Sequence, residues 1–401
     1  MRRDDAAAGP LRPSFPWGPG LGIGGGPGAW LGGDGGRGCS IGPGRYFFAF
    51  SDTYLGPPGG TTRRPFGQGG GVGNTISIYD VDGDRNAYYW RGPADAPRPF
   101  FEDAPGSPAG QRFWCGRSFT VGPKLFVMLT RVRPGRDPKT GSNRTRYLDT
   151  LIARVADPTA DPARWAIDYL DLGISGFPIY GANGEALVSG ADLVLFGVTS
   201  PDPMATETAA IKLPAASLLM APSGASLAAE VTYLDRFYRW SAGFAGDPMD
   251  QGDGGGLNAA LHYDYWRVGI RTPLGFTIRW NGRISRWQAV TVDSRAEWQE
   301  HYQPSGNPNP RSVIAMVSRR GPFGPWSAPR KIFNFPDFVA AGPRPPGGLH
   351  CYAVAECPDF AAGPDVIRFT YSSSQSGPSG AAAPERPEFY GVRVAEVPNP
   401  F

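Results

Sequence analysis

Arg45-Tyr-Phe-Phe-Ala-Phe-Ser51 is the stretch on which the fold turns. It is short, aromatic and bounded by a Gly-Pro-Gly turn at residues 42–44, which is the pattern of the second strand of a hairpin. The pattern returns four times, as Lys124-Leu-Phe-Val-Met-Leu-Thr130, Asp192-Leu-Val-Leu-Phe-Gly-Val198, Gly275-Phe-Thr-Ile-Arg-Trp280 and Val366-Ile-Arg-Phe-Thr-Tyr371, with starts roughly 70 to 90 residues apart. Turn signals precede these too: Gly122-Pro123, Gly190-Ala191, Thr272-Pro-Leu-Gly275 and Gly363-Pro364. Two more strand-like segments follow most of the cores, for example Asn74-Thr-Ile-Ser-Ile-Tyr79 and Ala87-Tyr-Tyr-Trp90 in the first unit. Four strands in each of five units predict an all-β chain, a single closed five-bladed β-propeller of four-stranded antiparallel blades. Its expected extent is residues 26–401, with residues 1–25 a loose tail or closing strand. Residues 214–229 hold the best short helical pattern, in a connecting region. Two tandem β-sandwiches are the competing architecture, and they leave the recurring hairpins unexplained.

The composition agrees with many short strands. Gly and Pro number 57 and 43 of 401 residues, yet 41% of the chain is hydrophobic and 12% aromatic, enough for a large core with Gly and Pro as punctuation between strands. The formal net charge is +3 with scattered basic residues, which argues against a nucleic-acid partner. No run of about 18 apolar residues predicts a membrane span. Met1-Arg-Arg-Asp-Asp begins basic, but acids and Gly/Pro-rich sequence stand where a signal peptide has its apolar region. Cys39, Cys115, Cys351 and Cys357 are too few and scattered for a disulfide framework or zinc site, so buried thiols are expected. A Cys351–Cys357 bridge is the exception that the spacing allows. Three histidines make a multi-histidine metal site improbable, and nothing in the sequence supports a central cation beyond the bare possibility of one held through a single His.

Inner strands of a propeller converge on one axis, so residues at their ends share a funnel. Blade one supplies Asp34, in Gly32-Gly-Asp34-Gly-Gly, and Asp52, which ends the strand of Arg45–Ser51. Blade two has no acid on its inner strand but offers Arg112, Trp114 and Arg117; blade three offers Asn183 and Glu185; blade four, His262 and Asp264; blade five, Glu356. Aromatic faces with fixed polar groups suit sugars. Asn74, Trp114, Arg117, Asn183, Glu185, His262, Asp264 and Glu356 are therefore candidate sugar contacts, with ordinary packing as the competing explanation for each.

These residues also carry a resemblance. Gly321-Pro-Phe-Gly-Pro-Trp-Ser-Ala-Pro329 resembles the outer-blade signature of five-bladed glycosidases such as arabinanases and invertases. More narrowly, Gly33-Asp34, Phe50-Ser-Asp52-Thr and Gly73-Asn74-Thr75-Ile76, with residues 352–358, resemble a once-uncharacterised propeller family containing endo-D-arabinanases. Those enzymes cleave the arabinan of mycobacterial arabinogalactan and lipoarabinomannan. The resemblance implies a glycoside hydrolase without an organic cofactor, acting on a poly- or oligosaccharide that is extracellular. It pairs Asp34 with Asp52 as the catalytic acids. The chain departs from the arabinanase and invertase groups in lacking their blade-two acid.

Glycoside hydrolysis needs one carboxylic acid to protonate the leaving oxygen and one carboxylate to activate water or attack the anomeric carbon. Asp34 and Asp52 are 18 residues apart, across an inner strand, its turn and the returning strand, so both can reach one funnel. Inversion is the expected outcome, with the carboxyl groups about 6.5–9.5 Å apart. Asp52, ending an apolar strand, is the expected acid; Glu185 and Glu356 are lesser candidates for the second role. A non-catalytic glycan-binding or adhesion propeller is the alternative function. Gly38-Cys-Ser40-Ile-Gly42 matches a nucleophile elbow only in letters, since no helix follows. Asp80-Val-Asp82-Gly-Asp84 lacks the rest of a calcium loop and reads as a hairpin turn.

Overall fold

The computed structural model describes residues 20–21, 29–56, 71–83, 85–93, 96–103, 110–136, 143–175, 180–182, 184–198, 208–234, 239–242, 275–292, 312–335, 349–358, 365–375 and 391–401. They form five antiparallel sheets, the blades of a β-propeller. Blade one comprises β1 (Gly20–Leu21), β2 (Ala29–Gly42), β3 (Arg45–Gly56), β4 (Gly71–Val72), β5 (Thr75–Asp80) and β6 (Arg85–Tyr89), in the order β1-β2-β3-β5-β6 with β4 beside β3. Blade two is β7 (Arg112–Val121), β8 (Lys124–Arg136), β9 (Asn143–Val155) and β10 (Ile167–Ser175). Blade three is β11 (Glu185–Ser189), β12 (Asp192–Val198), β13 (Thr208–Pro214), β14 (Thr232–Leu234) and β15 (Trp240–Ala242). Blade four is β16 (Phe276–Asn281), β17 (Arg286–Val292), β18 (Ser312–Ser318) and β19 (Arg330–Asn334). Blade five is β20 (Leu349–Glu356), β21 (Val366–Gln375) and β22 (Gly391–Pro398). A single helical turn and a half, α1 (Ala215–Met220), and a 3-10 turn at Ala228–Glu230 occupy the expected helical segment.

The innermost strands β2, β7, β11, β16 and β20 touch in a closed ring. Between every adjacent pair of blades lies a separate apolar core. Phe47, Ile76, Phe113, Leu129 and Trp165 fill the gap between blades one and two. Met128, Ile152, Leu195 and Leu218 fill that between two and three, and Phe196, Phe276 and Met316 that between three and four. Val290, Phe333, Phe369 and Tyr371 pack blade four on five, while Trp30, Phe48, Phe50 and Tyr88 meet Cys357 and Val392 at the seam of five and one. A blade covered on both faces buries both sides of its middle strands, which is why Phe47-Phe-Ala-Phe50 runs apolar instead of alternating.

The expected five-bladed antiparallel propeller is what the described residues form, with strand numbers that vary from blade to blade, and one finer expectation, in blade four, needs correction. Strand counts are four in blades two and four only; blade one adds β1 and β4, blade three adds β15, and blade five shows three strands among the described residues. In blade four Phe276–Trp280 belongs to the innermost strand and not to the second, because Arg286–Val292 pairs outside it. The segment with His262 and Asp264 lies outside the described residues. All four cysteines are buried and outside any disulfide, so no Cys351–Cys357 bridge forms. Asp80 closes the β5–β6 turn, its Oδ1 accepting from the amides of Asp82 and Gly83 at 3.1 and 3.3 Å. Among the described residues no helix is long and apolar enough to cross a membrane.

Candidate active site

Asp34 and Asp52 meet across a β-bulge. Gly33 pairs with Thr53 and Gly35 with Phe50, so Asp34 stands opposite both Ser51 and Asp52, two residues against one. A bulge bends the strand and re-aims its side chains, and here it turns two acids toward the same side of the ring. The neighbours of Asp52 are pinned. Ser51 Oγ accepts from the Cys115 amide at 2.9 Å, tying β3 to β7, and Thr53 Oγ1 donates to the Ser51 carbonyl at 2.7 Å. Gly35 and Gly36, at φ of +90° and +61°, take the left-handed path that the bulge requires after Asp34. The Gly35 amide donates to Ser372 Oγ at 2.9 Å, so blade five fixes the other side.

The two acids differ in what touches them. Asp52 accepts from Arg112 Nη2 at 2.9 Å and from the Trp114 indole N–H at 3.1 Å, both on β7. Burial pushes its carboxyl upward, against the pull of the Arg112 charge and the Trp114 hydrogen bond. Asp34 accepts from the Tyr352 hydroxyl on β20 at 2.9 Å through Oδ2, while its buried Oδ1 has no hydrogen-bonding side chain among the described residues. Burial, and then the negative charge of Asp52, push Asp34 up to about 8, with the Tyr352 bond and Arg112 opposing. Two acids that interact this way with unequal partners divide into one neutral and one charged group. Arg112 and Asp52 side chains are each 23% exposed, so solvent reaches the pair. Beside them Trp114 meets Tyr147 edge-on at 5.9 Å, and the Arg112 guanidinium lies 6.0 Å from the Trp114 ring. A partly buried indole next to two acids is a surface on which a sugar ring can lie.

The remaining expected contacts fall elsewhere. Asn74 has no exposed surface, and its amide joins Phe101 and Phe113 carbonyls at 3.1 Å and accepts from the Phe101 amide at 2.7 Å. It pins blade one to blade two and has nothing left for a sugar. Arg117, Glu185 and Glu356 lie buried on the axis, 9%, 2% and 1% exposed. Arg117 Nε pairs with Glu185 Oε1 at 3.1 Å, and Glu356 Oε1 takes Arg279 Nε and Nη2 at 2.8 and 2.6 Å. Their role as sugar contacts is thus replaced by one in the ring's interior. Burial pushes the Glu185 carboxyl upward. Arg37, 1% exposed, joins this group by donating to the Gly184 carbonyl. Asn183, His262 and Asp264 are outside the described residues. Of the residues that do shape the pair, Tyr352 appeared in the sequence only inside a motif, with nothing marking its hydroxyl as a partner of Asp34. Among the described residues no three His, Cys, Asp or Glu side chains gather to hold a metal ion. The three axial guanidinium groups are unfavourable company for a cation.

No protein-family model and no curated protein sequence matches this chain. Solved structures do resemble it. A protein from Bacteroides ovatus assigned as a hydrolase superposes with a TM-score of 0.63 at 13% identity, over 92% of this chain and 86% of that one. An α-L-arabinofuranosidase from Lactobacillus brevis gives 0.46 at 11% identity over 93% and 94% of the two chains. An α-L-arabinanase mutant from Cellvibrio cellulosa gives 0.46 at 9% over 92% and 91%. The first of these likenesses is one of fold.

Proposed function

We propose that this protein is a glycoside hydrolase that cleaves arabinofuranosyl linkages inside a polymer, the endo-D-arabinanase activity implied by the resemblance around Asp34, Asp52 and residues 352–358. The observation that carries the hydrolase reading is the bulge that brings two carboxyl groups together in unequal surroundings. Asp34, pushed up to about 8, keeps its proton at neutral pH and serves as the general acid toward the leaving oxygen. Asp52, bonded to Arg112 and Trp114, is the member that ionises, and as carboxylate it activates water. This reverses the assignment expected from the apolar strand before Asp52: burial raises both carboxyls, but Arg112 and Trp114 hold Asp52 back while the charge of Asp52 drives Asp34 further up. A base that activates water, instead of attacking the anomeric carbon itself, gives inversion.

The test is reducing-sugar release from arabinogalactan by wild type and by folded Asp34→Asn and Asp52→Asn variants, with proton NMR of the first product for its anomeric form. Loss of at least about 100-fold in both variants is expected for removal of a general acid or base. Full activity in either variant overturns the assignment. Glycan binding without release from any furanoside polymer replaces the enzyme with a glycan-binding propeller.

A further inference from the structure

We propose that Tyr352 is a positioning residue for the acid of this site: its hydroxyl, held in place by a left-handed residue in blade five, fixes the carboxyl of Asp34 in blade one and sets the pH at which it lets go of its proton. The inference rests on the glycosidase reading of Asp34.

The geometry is built from three features. First, the Tyr352 hydroxyl lies 2.9 Å from Asp34 Oδ2, a bond between residues 318 positions apart. Second, β20 bulges directly after Tyr352: Tyr352 pairs with Ser372 and Ala355 with Thr370, two residues facing one. Third, Ala353 inside that bulge has φ of +56°, in the left-handed region that residues with a β-carbon avoid. Such a conformation persists only where the surroundings impose it, and it collects at functional sites. Here the surroundings are firm. Cys351 and Val354 on either side are completely buried, and Gly275 of the neighbouring blade packs so close that a β-carbon there would come within 3.1 Å of Ala353 Cα. The strand is thus bent at one residue, and the bend points the phenol across the seam between the last blade and the first.

The charged and titratable groups facing Asp34 come from three blades: Asp52 from blade one, Arg112 and Cys115 from blade two, and Tyr352 from blade five. Among the described side chains Tyr352 alone donates a hydrogen bond to the Asp34 carboxyl. Burial and the charge of Asp34 push the phenol well above its ordinary range, so it stays protonated and donates. A donor to a carboxylate favours the charged form, so the bond holds Asp34 lower than burial alone would. It also stops rotation of the carboxyl, and an acid must stand within hydrogen-bond reach of the leaving oxygen.

Tyr352→Phe removes the hydroxyl and keeps the ring. The alkaline limb of the kcat/KM profile should move up by roughly one pH unit, and kcat at the plateau should fall about tenfold with KM unchanged. Tyr352→Gln, which restores a donor, should bring the limb part of the way back. A Tyr352→Phe profile that superposes on wild type overturns the proposal whatever its absolute rate. Carbon-13 NMR of the Asp34 carboxyl gives the same comparison without substrate: an unmoved Asp34 titration in Tyr352→Phe overturns it, and a raised one sustains it. Absence of any furanoside-cleaving activity in wild type would defeat the glycosidase reading, and the NMR titration would still decide the Tyr352–Asp34 link.

Discussion

Asp34 and Asp52 have the same side chain and opposite prospects, and contacts within a few ångströms account for the difference. Arg112 stands on Asp52 at 2.9 Å and also lowers Asp34 from a distance. Arg112→Met should therefore lift both carboxyls, Asp52 most. A guanidinium in contact shifts a carboxyl by about 1–3 units, so the acidic limb of the kcat/KM profile should climb by at least one unit and activity near pH 5 should collapse. An acidic limb that stays in place would show that Asp52 is not the ionised partner. Asp34 has a second consequence, for stability. Its folded-state value of about 8 stands above that of an unfolded Asp, about 4, so the folded protein holds the extra proton. Stability should decline as pH rises from about 4 to about 8, by up to about 1.4 kcal/mol per unit. Asp34→Asn removes that slope. Its urea midpoint should exceed that of wild type by more at pH 9 than at pH 5, and an offset equal at both pH values would contradict the raised carboxyl.

At the scale of the strand, three inner strands carry a bulge: β2 at Asp34–Gly36, β7 between Cys115 and Ser118, and β20 between Tyr352 and Ala355. Each puts a site residue just before its bulge or inside it and sends an axial residue, Arg37, Arg117 or Glu356, deeper. Close strand approach depends on glycine. A β-carbon at Gly116 would overlap the Gly181 carbonyl, where blades two and three touch backbone to backbone. Gly116→Ala should cost about 1–3 kcal/mol in urea unfolding through overpacking, and unchanged stability would mean that the inner ring can widen freely. These features mark the limit of what the sequence discloses. Strand cores such as Leu125-Phe-Val-Met-Leu129 are legible because burial on both faces leaves an apolar run. So is Asp52, as the carboxylate that ends one. Arg117, Glu185 and Glu356 are not, because in letters a buried ion pair looks the same as a solvated sugar contact. The direction of Tyr352 depends on a left-handed alanine, and no propensity announces Ala353 as one. Asn74 was found as a residue and mistaken in role, since its amide closes on backbone groups 27 and 39 positions away.

For the molecule as a whole, closure is the question, because the first and last blades share no strand pairing among the described residues. Among the described residues blade five gives the seam core only Cys357 and Val392, so polar bonds matter more there: Gly35 to Ser372 at 2.9 Å, Thr370 to the Gly36 carbonyl at 3.2 Å, and Tyr352 to Asp34. The proposed acid thus sits on the joint that closes the ring. Beneath it, each inner strand sends one charged residue to the axis: Arg37, Arg117, Glu185, Arg279 and Glu356. Glu356 binds blade five to blade four through Arg279 and Gln288, and its carbonyl accepts from Arg117 of blade two at 3.1 Å. Removing one member of such a buried set leaves a guanidinium without its counter-charge, and burial pushes Arg37 on the same axis down to about 10. Glu356→Gln should lose about 3–5 kcal/mol in urea unfolding, with little change between low and high salt because the charges are out of reach of screening. Replacing Arg279 and Glu356 together by Met should recover most of that loss, since two apolar side chains of similar size leave no charge unpaired. A single variant as stable as wild type, or a double variant no better than the single, would mean that the axis is wet and that the five blades are held by their apolar cores alone.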